Sequence, residues 1–155
     1  MYVFDNSPLS SMFRNYFPAR FPSLWARFDA LVAAGDVVST REALREIRNG
    51  PEGHCLDWCN NNQPLFAVPN AAEAGRVAQI FAVPHFQQNI EMQKILKGGL
   101  NADPFVIARA MAEGKAVVTM EAHKPNSAKI PNICEHFHVR WLNLEAFMEE
   151  QGWMF

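Results

Sequence analysis

Long apolar runs are missing from this chain. None approaches the roughly 18 residues that a membrane-spanning helix needs, and the opening Met1-Tyr2-Val3-Phe4-Asp5 has neither a basic start nor an extended apolar stretch. Neither a membrane span nor a signal peptide is expected. Cysteine is scarce and odd in number. Cys55, Cys59 and Cys134 make no disulfide framework, and reduced thiols in a cytoplasmic protein are the expectation. An excess of charge of one sign is lacking too: 14 Lys and Arg against 16 Asp and Glu leave a net −2, so any nucleic-acid site has to be a local basic patch. Internal repeats and low-complexity tracts are absent. So are the glycine-rich phosphate loops G-x-x-x-x-G-K-[ST] and G-x-G-x-x-G, and the G-x-S-x-G nucleophile elbow. Asp5-Asn6-Ser7 lacks the second Asp of a phosphoaspartate hydrolase. What remains is 155 residues, 49% hydrophobic and 19% charged, enough for a buried core in one domain spanning 1–155.

Short apolar runs alternate with helical patterns. Tyr2-Val3-Phe4, Val37-Val38, Ala116 to Met120 and Val139 to Leu142 read as buried strands. Between them, Ser23 starts a helix carrying Leu24, Trp25, Phe28, Leu31 and Val32, which stops at Gly35. Further helices are expected over Thr40 to Ile47, Ala71 to Phe81, Phe86 to Lys97, Asp103 to Glu113 and Leu144 to Gln151. The dense aromatics near the start follow helical spacing and read as core rather than as a base-stacking platform. Alternating strands and helices predict an α/β domain, a three-layer α/β/α sandwich with a mainly parallel sheet. Ligands of such sheets sit beyond the carboxyl ends of the strands.

Acids stand there. Asp5 closes the first strand, Glu121 closes the strand from Ala116, Asp103 opens the helix leading into that strand, and Glu42 and Glu46 lie on the helix after Val37-Val38. Each has an ordinary reading: Asp103-Pro104 as a helix cap, Asp5 as a turn residue, Glu121 as a solvated loop residue. Ser39-Thr40-Arg41-Glu42 matches a capping box, which assigns Glu42 to the backbone. Glu46, one turn on, has no such duty and is the preferred site residue, with Glu42 as its substitute. Converging carboxylates repel one another without a cation, and an oxygen-only set suits Mg²⁺ or Mn²⁺. That chemistry leads toward metal-assisted phosphodiester hydrolysis.

These segments resemble a family. Tyr2-Val3-Phe4-Asp5-Asn6-Ser7 is similar to the opening of PIN domains. Ala43-Leu44-Arg45-Glu46-Ile47, Ala102-Asp103-Pro104-Phe105-Val106-Ile107-Ala108 and Val117-Val118-Thr119-Met120-Glu121 resemble that family's later acidic motifs. With Phe21-Pro22-Ser23-Leu24-Trp25, Asp57-Trp58 and Lys129-Ile130-Pro131-Asn132-Ile133-Cys134, the chain is similar more closely to the DUF4411 group of PIN-like proteins, over nearly its whole length. The resemblance implies a Mg²⁺- or Mn²⁺-dependent endoribonuclease, most often the toxin of a bacterial toxin–antitoxin pair. It implies Asp5, Glu46, Asp103 and Glu121 as catalytic and metal-binding positions, RNA as substrate and an antitoxin protein as partner. A homodimer is a further expected assembly. Two positions depart from the wider pattern: Glu121 stands where Asp is common, and Asn6 where Thr is frequent.

Supporting roles fall to Ser7, Thr119 and Lys129, by hydrogen bonding to a ligand or phosphate. Lys115, Lys124, Arg14 and Arg20 are further candidate cations, and His123 a candidate substrate contact. Cys134, His136 and His138 would share a face on a strand and suit zinc, but a helix there would scatter them. The rival class is a non-catalytic PIN-like module that binds RNA or a protein.

Overall fold

The computed structural model describes residues 1–91 and 98–155. Five strands form one sheet: β1 Tyr2–Phe4, β2 Val37–Thr40, β3 Phe66–Ala67, β4 Ala116–Val118 and β5 Trp141–Leu142. Their order is β3-β2-β1-β4-β5, and every pairing is parallel. Tyr2 lies opposite Val37 on one side of β1 and Ala116 on the other. The helices are α1 Asn6–Asn15, α2 Pro22–Ala33, α3 Arg41–Arg48, α4 His54–Asn61, α5 Ala71–Phe81, α6 Asp103–Glu113, α7 Ile130–His136 and α8 Leu144–Glu150. Single 3-10 turns form at Gln63–Leu65 and Pro84–Phe86. Residues 87–91 are helical, and the rest of the helix expected to reach Lys97 lies outside the described residues.

The period of two along β1 decides the layering. Tyr2 and Phe4 point into a core shared with Leu9, Met12, Trp25, Phe28 and Phe147, on the face covered by α1, α2, α4 and α8. Val3, between them, points into the opposite core, shared with Ile80, Val106, Ile107, Ile130 and Ile133 of α5, α6 and α7. The result is the α/β/α sandwich that the strand–helix alternation predicts. Most aromatics of the N-terminal third belong to the core, as expected, while Phe17 is exposed; Phe4 packs against Phe28 and Phe147 with ring centroids 5.4 and 5.0 Å away. Among the described residues no helix is long and apolar enough to cross a membrane.

Several local expectations are corrected. The strand β2 continues through Ser39, whose hydroxyl bonds to Phe4 O across the sheet (2.7 Å). Thr40 therefore caps α3, accepting from Ala43 N, and the Ser39–Glu42 capping box does not form. Pro22 begins α2, so Ser23 lies inside it. Ala102 is the N-cap of α6 and Asp103 its first helical residue, so Asp103 is not a cap. The strand from Ala116 ends at Val118, leaving Thr119 and Glu121 in the following loop. Strand β3 has only two residues and no sequence pattern to announce it.

Candidate functional site

In the order β3-β2-β1-β4-β5 the chain winds outward in both directions from β1 and β4, so the crevice between their carboxyl ends is the switch point where α/β sheets bind ligands. Asp5 follows β1 directly and stands in it. It occupies the N-cap position of α1 without capping it. Its Oδ2 instead accepts from Ser7 Oγ (2.7 Å) and Thr119 Oγ1 (3.3 Å). Ser7 Oγ in turn accepts from Met120 N (3.0 Å), and Thr119 Oγ1 from Glu121 N (3.1 Å). Two hydroxyls thus tie the end of β1 to the loop after β4 and fix the Asp5 rotamer. The other oxygen, Oδ1, is buried with no hydrogen-bond partner, in a residue only 3% exposed. A buried carboxylate oxygen without a donor is costly to the fold, and its retention calls for a reason.

The remaining acids arrive from three other elements. Glu46 of α3 is buried, with Oε2 accepting from Asn6 Nδ2 (2.5 Å) and Oε1 from Ala102 N (3.1 Å). Asn6 is thus the holder of Glu46. Glu42 points elsewhere, to Arg41 (2.7 Å) and Arg45 (3.2 Å), while Arg48 bonds to Asn60. Asp103, buried at the start of α6, accepts from Asn89 Nδ2 (2.9 Å). Asn89 also donates to Ala128 O (3.0 Å) and accepts from Asn101 (2.8 Å). Glu121 accepts from Ile130 N (2.8 Å), the first amide of α7.

Asp103 and Glu121 line one cleft of about 460 Å³ with Asn89, Lys124 and Lys129. Glu46 and Asn6 line a neighbouring depression with Arg14. The charges of Glu121 and Asp103 both reach the Cys134 thiol. Burial pushes that thiol well up, and Glu121, Glu135 and Asp103 push it the same way. Cys134 is a neutral core thiol on α7, and with His136 and His138 exposed the zinc arrangement does not form. His123 turns to Glu135 (3.2 Å). Lys115 precedes β4, so it stands at the opposite edge of the sheet, paired to Glu113 (2.9 Å). Arg20 is an exposed loop residue.

The donor chemistry fits a hard divalent cation, since every group is a carboxylate oxygen and Asp5 Oδ1 has room in its bonding for one. As the side chains stand, no group of three or more His, Cys, Asp or Glu among the described residues is close enough to hold an ion.

The chain matches the family model described as "Domain of unknown function (DUF4411)" over residues 2–155. It belongs to the DUF4411 family. No curated protein matches it. In this DUF4411 chain, sequence reasoning missed Asn89 and Asn101 and left the role of Asn6 open. Asn6 adjoins Asp5 in the opening motif, a signal that was there to use. Asn89 sits in a helical stretch with nothing in the pattern to single it out.

Proposed function

We propose that this chain is a divalent-metal-dependent endoribonuclease acting through Asp5, Glu46, Asp103 and Glu121. The observation that carries the reading is Asp5. Its carboxylate is clamped by Ser7 and Thr119 at the switch point of the sheet, with a buried oxygen that has no donor. The four carboxylates would hold Mg²⁺ or Mn²⁺, which when bound supplies polarisation of a phosphate oxygen and a lowered pKa of a bound water.

The chain's own groups do the positioning. Ser7 and Thr119 keep Oδ2 of Asp5 occupied, so that Oδ1 is the oxygen presented. Asn6 and the Ala102 amide orient Glu46, and Asn89 orients Asp103. Lys124 and Lys129 line the cleft beside Asp103 and Glu121, where a phosphodiester needs cations. The PIN-like resemblance supports a further reading, that of the toxin of a toxin–antitoxin pair in the cytoplasm, with an antitoxin protein as its partner.

Binding to the native state raises stability. Millimolar Mn²⁺ should therefore raise the melting temperature of the wild type and leave that of Asp5→Asn unmoved. Equal responses in the two proteins would remove Asp5 from the metal site. RNA bound but left intact in Mn²⁺ would favour the non-catalytic module instead.

A further inference from the structure

At the edge of the sheet opposite Asp5 lies a second pocket, of about 500 Å³, lined by Arg76, Lys115, His138 and Arg140 and by no Asp or Glu. Its nitrogen-bearing side chains come from four segments: α5, the start of β4, the turn after α7 and the approach to β5. Their acidic partners stand behind them. Lys115 Nζ is held by Glu113 (2.9 Å), and Arg140 by two bonds to Glu150, one of them 3.0 Å. Neither glutamate lines the pocket. An ammonium has three N–H donors and a guanidinium five, so each cation is fixed in place and still has donors to give. Among the described residues Arg76 bonds sideways, to Gln79 on its own helix (3.1 Å).

The turn that brings His138 here is strained. Helix α7 ends with Val139 N bonded to Cys134 O (2.8 Å) and His138 N to Glu135 O (3.3 Å). That is the Schellman pattern, in which the residue of left-handed conformation is usually Gly. Here it is His138, at φ 56°. Gly stands at the equivalent position after α2 and after α6, as Gly35 and Gly114. A side chain kept at a position where Gly is easier points to a use for that side chain.

We propose that this pocket is a binding site for a small phosphate ester, with Arg76, Lys115 and Arg140 on the phosphate and His138 completing the ring of donors. Phe137 and Met111 also line the pocket and give the organic part of the ester an apolar wall. The volume is that of an ordinary small-ligand site. The proposal is independent of the nuclease reading, because the two sites lie at opposite ends of the strands.

The test is calorimetric titration of the full chain with AMP and with pyrophosphate at matched ionic strength. Wild type, Arg76→Ala, His138→Gly and Asp5→Asn are compared. The wild type and Asp5→Asn should bind AMP alike. Arg76→Ala should bind about tenfold more weakly, the loss of one charge-assisted contact. His138→Gly should lose affinity while its melting temperature rises, because Gly relieves the turn. A purely structural His138 would give the rise without the loss. Tighter binding of AMP than of pyrophosphate would assign a role to the apolar wall, and equal binding would make phosphate the whole ligand. No binding by the wild type at millimolar AMP or pyrophosphate overturns the proposal, as does affinity unchanged in Arg76→Ala and His138→Gly together.

Discussion

Asp5 concentrates the account into a single side chain. It is an Asp at an N-cap position that does not cap, with one oxygen satisfied twice and the other not at all. A group kept for binding rather than for stability should be cheap to neutralise. Asp5→Asn is therefore expected to leave the melting temperature unchanged or to raise stability by up to about 1 kcal/mol, which thermal denaturation without added metal would measure. Asn89 is the opposite case. It is buried and satisfies Asp103, Ala128 and Asn101 together. Asn89→Ala would strand those partners and should cost about 2 kcal/mol, read from the chemical-denaturation midpoint. Glu42 and Glu46 were separable in sequence, but through a wrong premise. The Ser39–Glu42 box that set Glu42 aside does not exist. What occupies Glu42 is Arg41 and Arg45, and what turns Glu46 inward is Asn6 and the Ala102 amide.

Elements were legible wherever their punctuation was local. The bounds of α5 and α6 match the sequence reading: α5 shows in the spacing of Ala74, Val77, Ile80 and Phe81, and α6 in Pro104 at its start and Gly114 at its end. Strand β3 was not legible. Two residues have no periodicity, and they pair with β2 only because the sheet edge is there. Nor was Arg109 legible as a tie between elements. From α6 it bonds the carbonyl of Ser39, reaches Leu65 O (3.4 Å) and lies 3.9 Å from Glu73 and 3.3 Å from Glu113. Its side chain is largely buried, as is that of Glu73. Arg109→Met should cost about 3 kcal/mol, since it leaves the buried Glu73 carboxylate without its cation. Glu113, at the end of the same helix, is pulled up by burial, but Lys115 and Arg109 pull it down further, and its folded pKa lies below the usual 4.5. Its contribution is whole above that value and fades as pH falls through the depressed one. Glu113→Gln should flatten that part of the acid limb, seen by comparing stability against pH in the two proteins.

At the scale of the molecule, a mainly parallel sheet covered on both faces was written in the alternation of strands and helices, and so was the carboxyl edge where the acids stand; the five strands prove all parallel, with a core on each face. The holding of each acid was not written there. It depends on amides and hydroxyls from distant segments, namely Asn6, Asn89, Ser7 and Thr119, whose partners are set by the closed fold rather than by spacing along the chain. The second edge, with its ring of cations, was equally hidden, because Arg76, Lys115 and Arg140 come together only through topology.

Cleavage of a structured RNA in Mn²⁺ by purified wild type, Asp5→Asn and Glu42→Gln is the deciding assay for the proposed nuclease with Asp5 as its anchor. The account predicts cleavage by the wild type that chelator abolishes, full activity in Glu42→Gln, and a loss of about a thousandfold or more in Asp5→Asn with the fold intact, the scale of losing a group that stabilises the transition state. Asp5→Asn cutting at the wild-type rate, or a wild type that cuts no RNA with either Mn²⁺ or Mg²⁺, would contradict it.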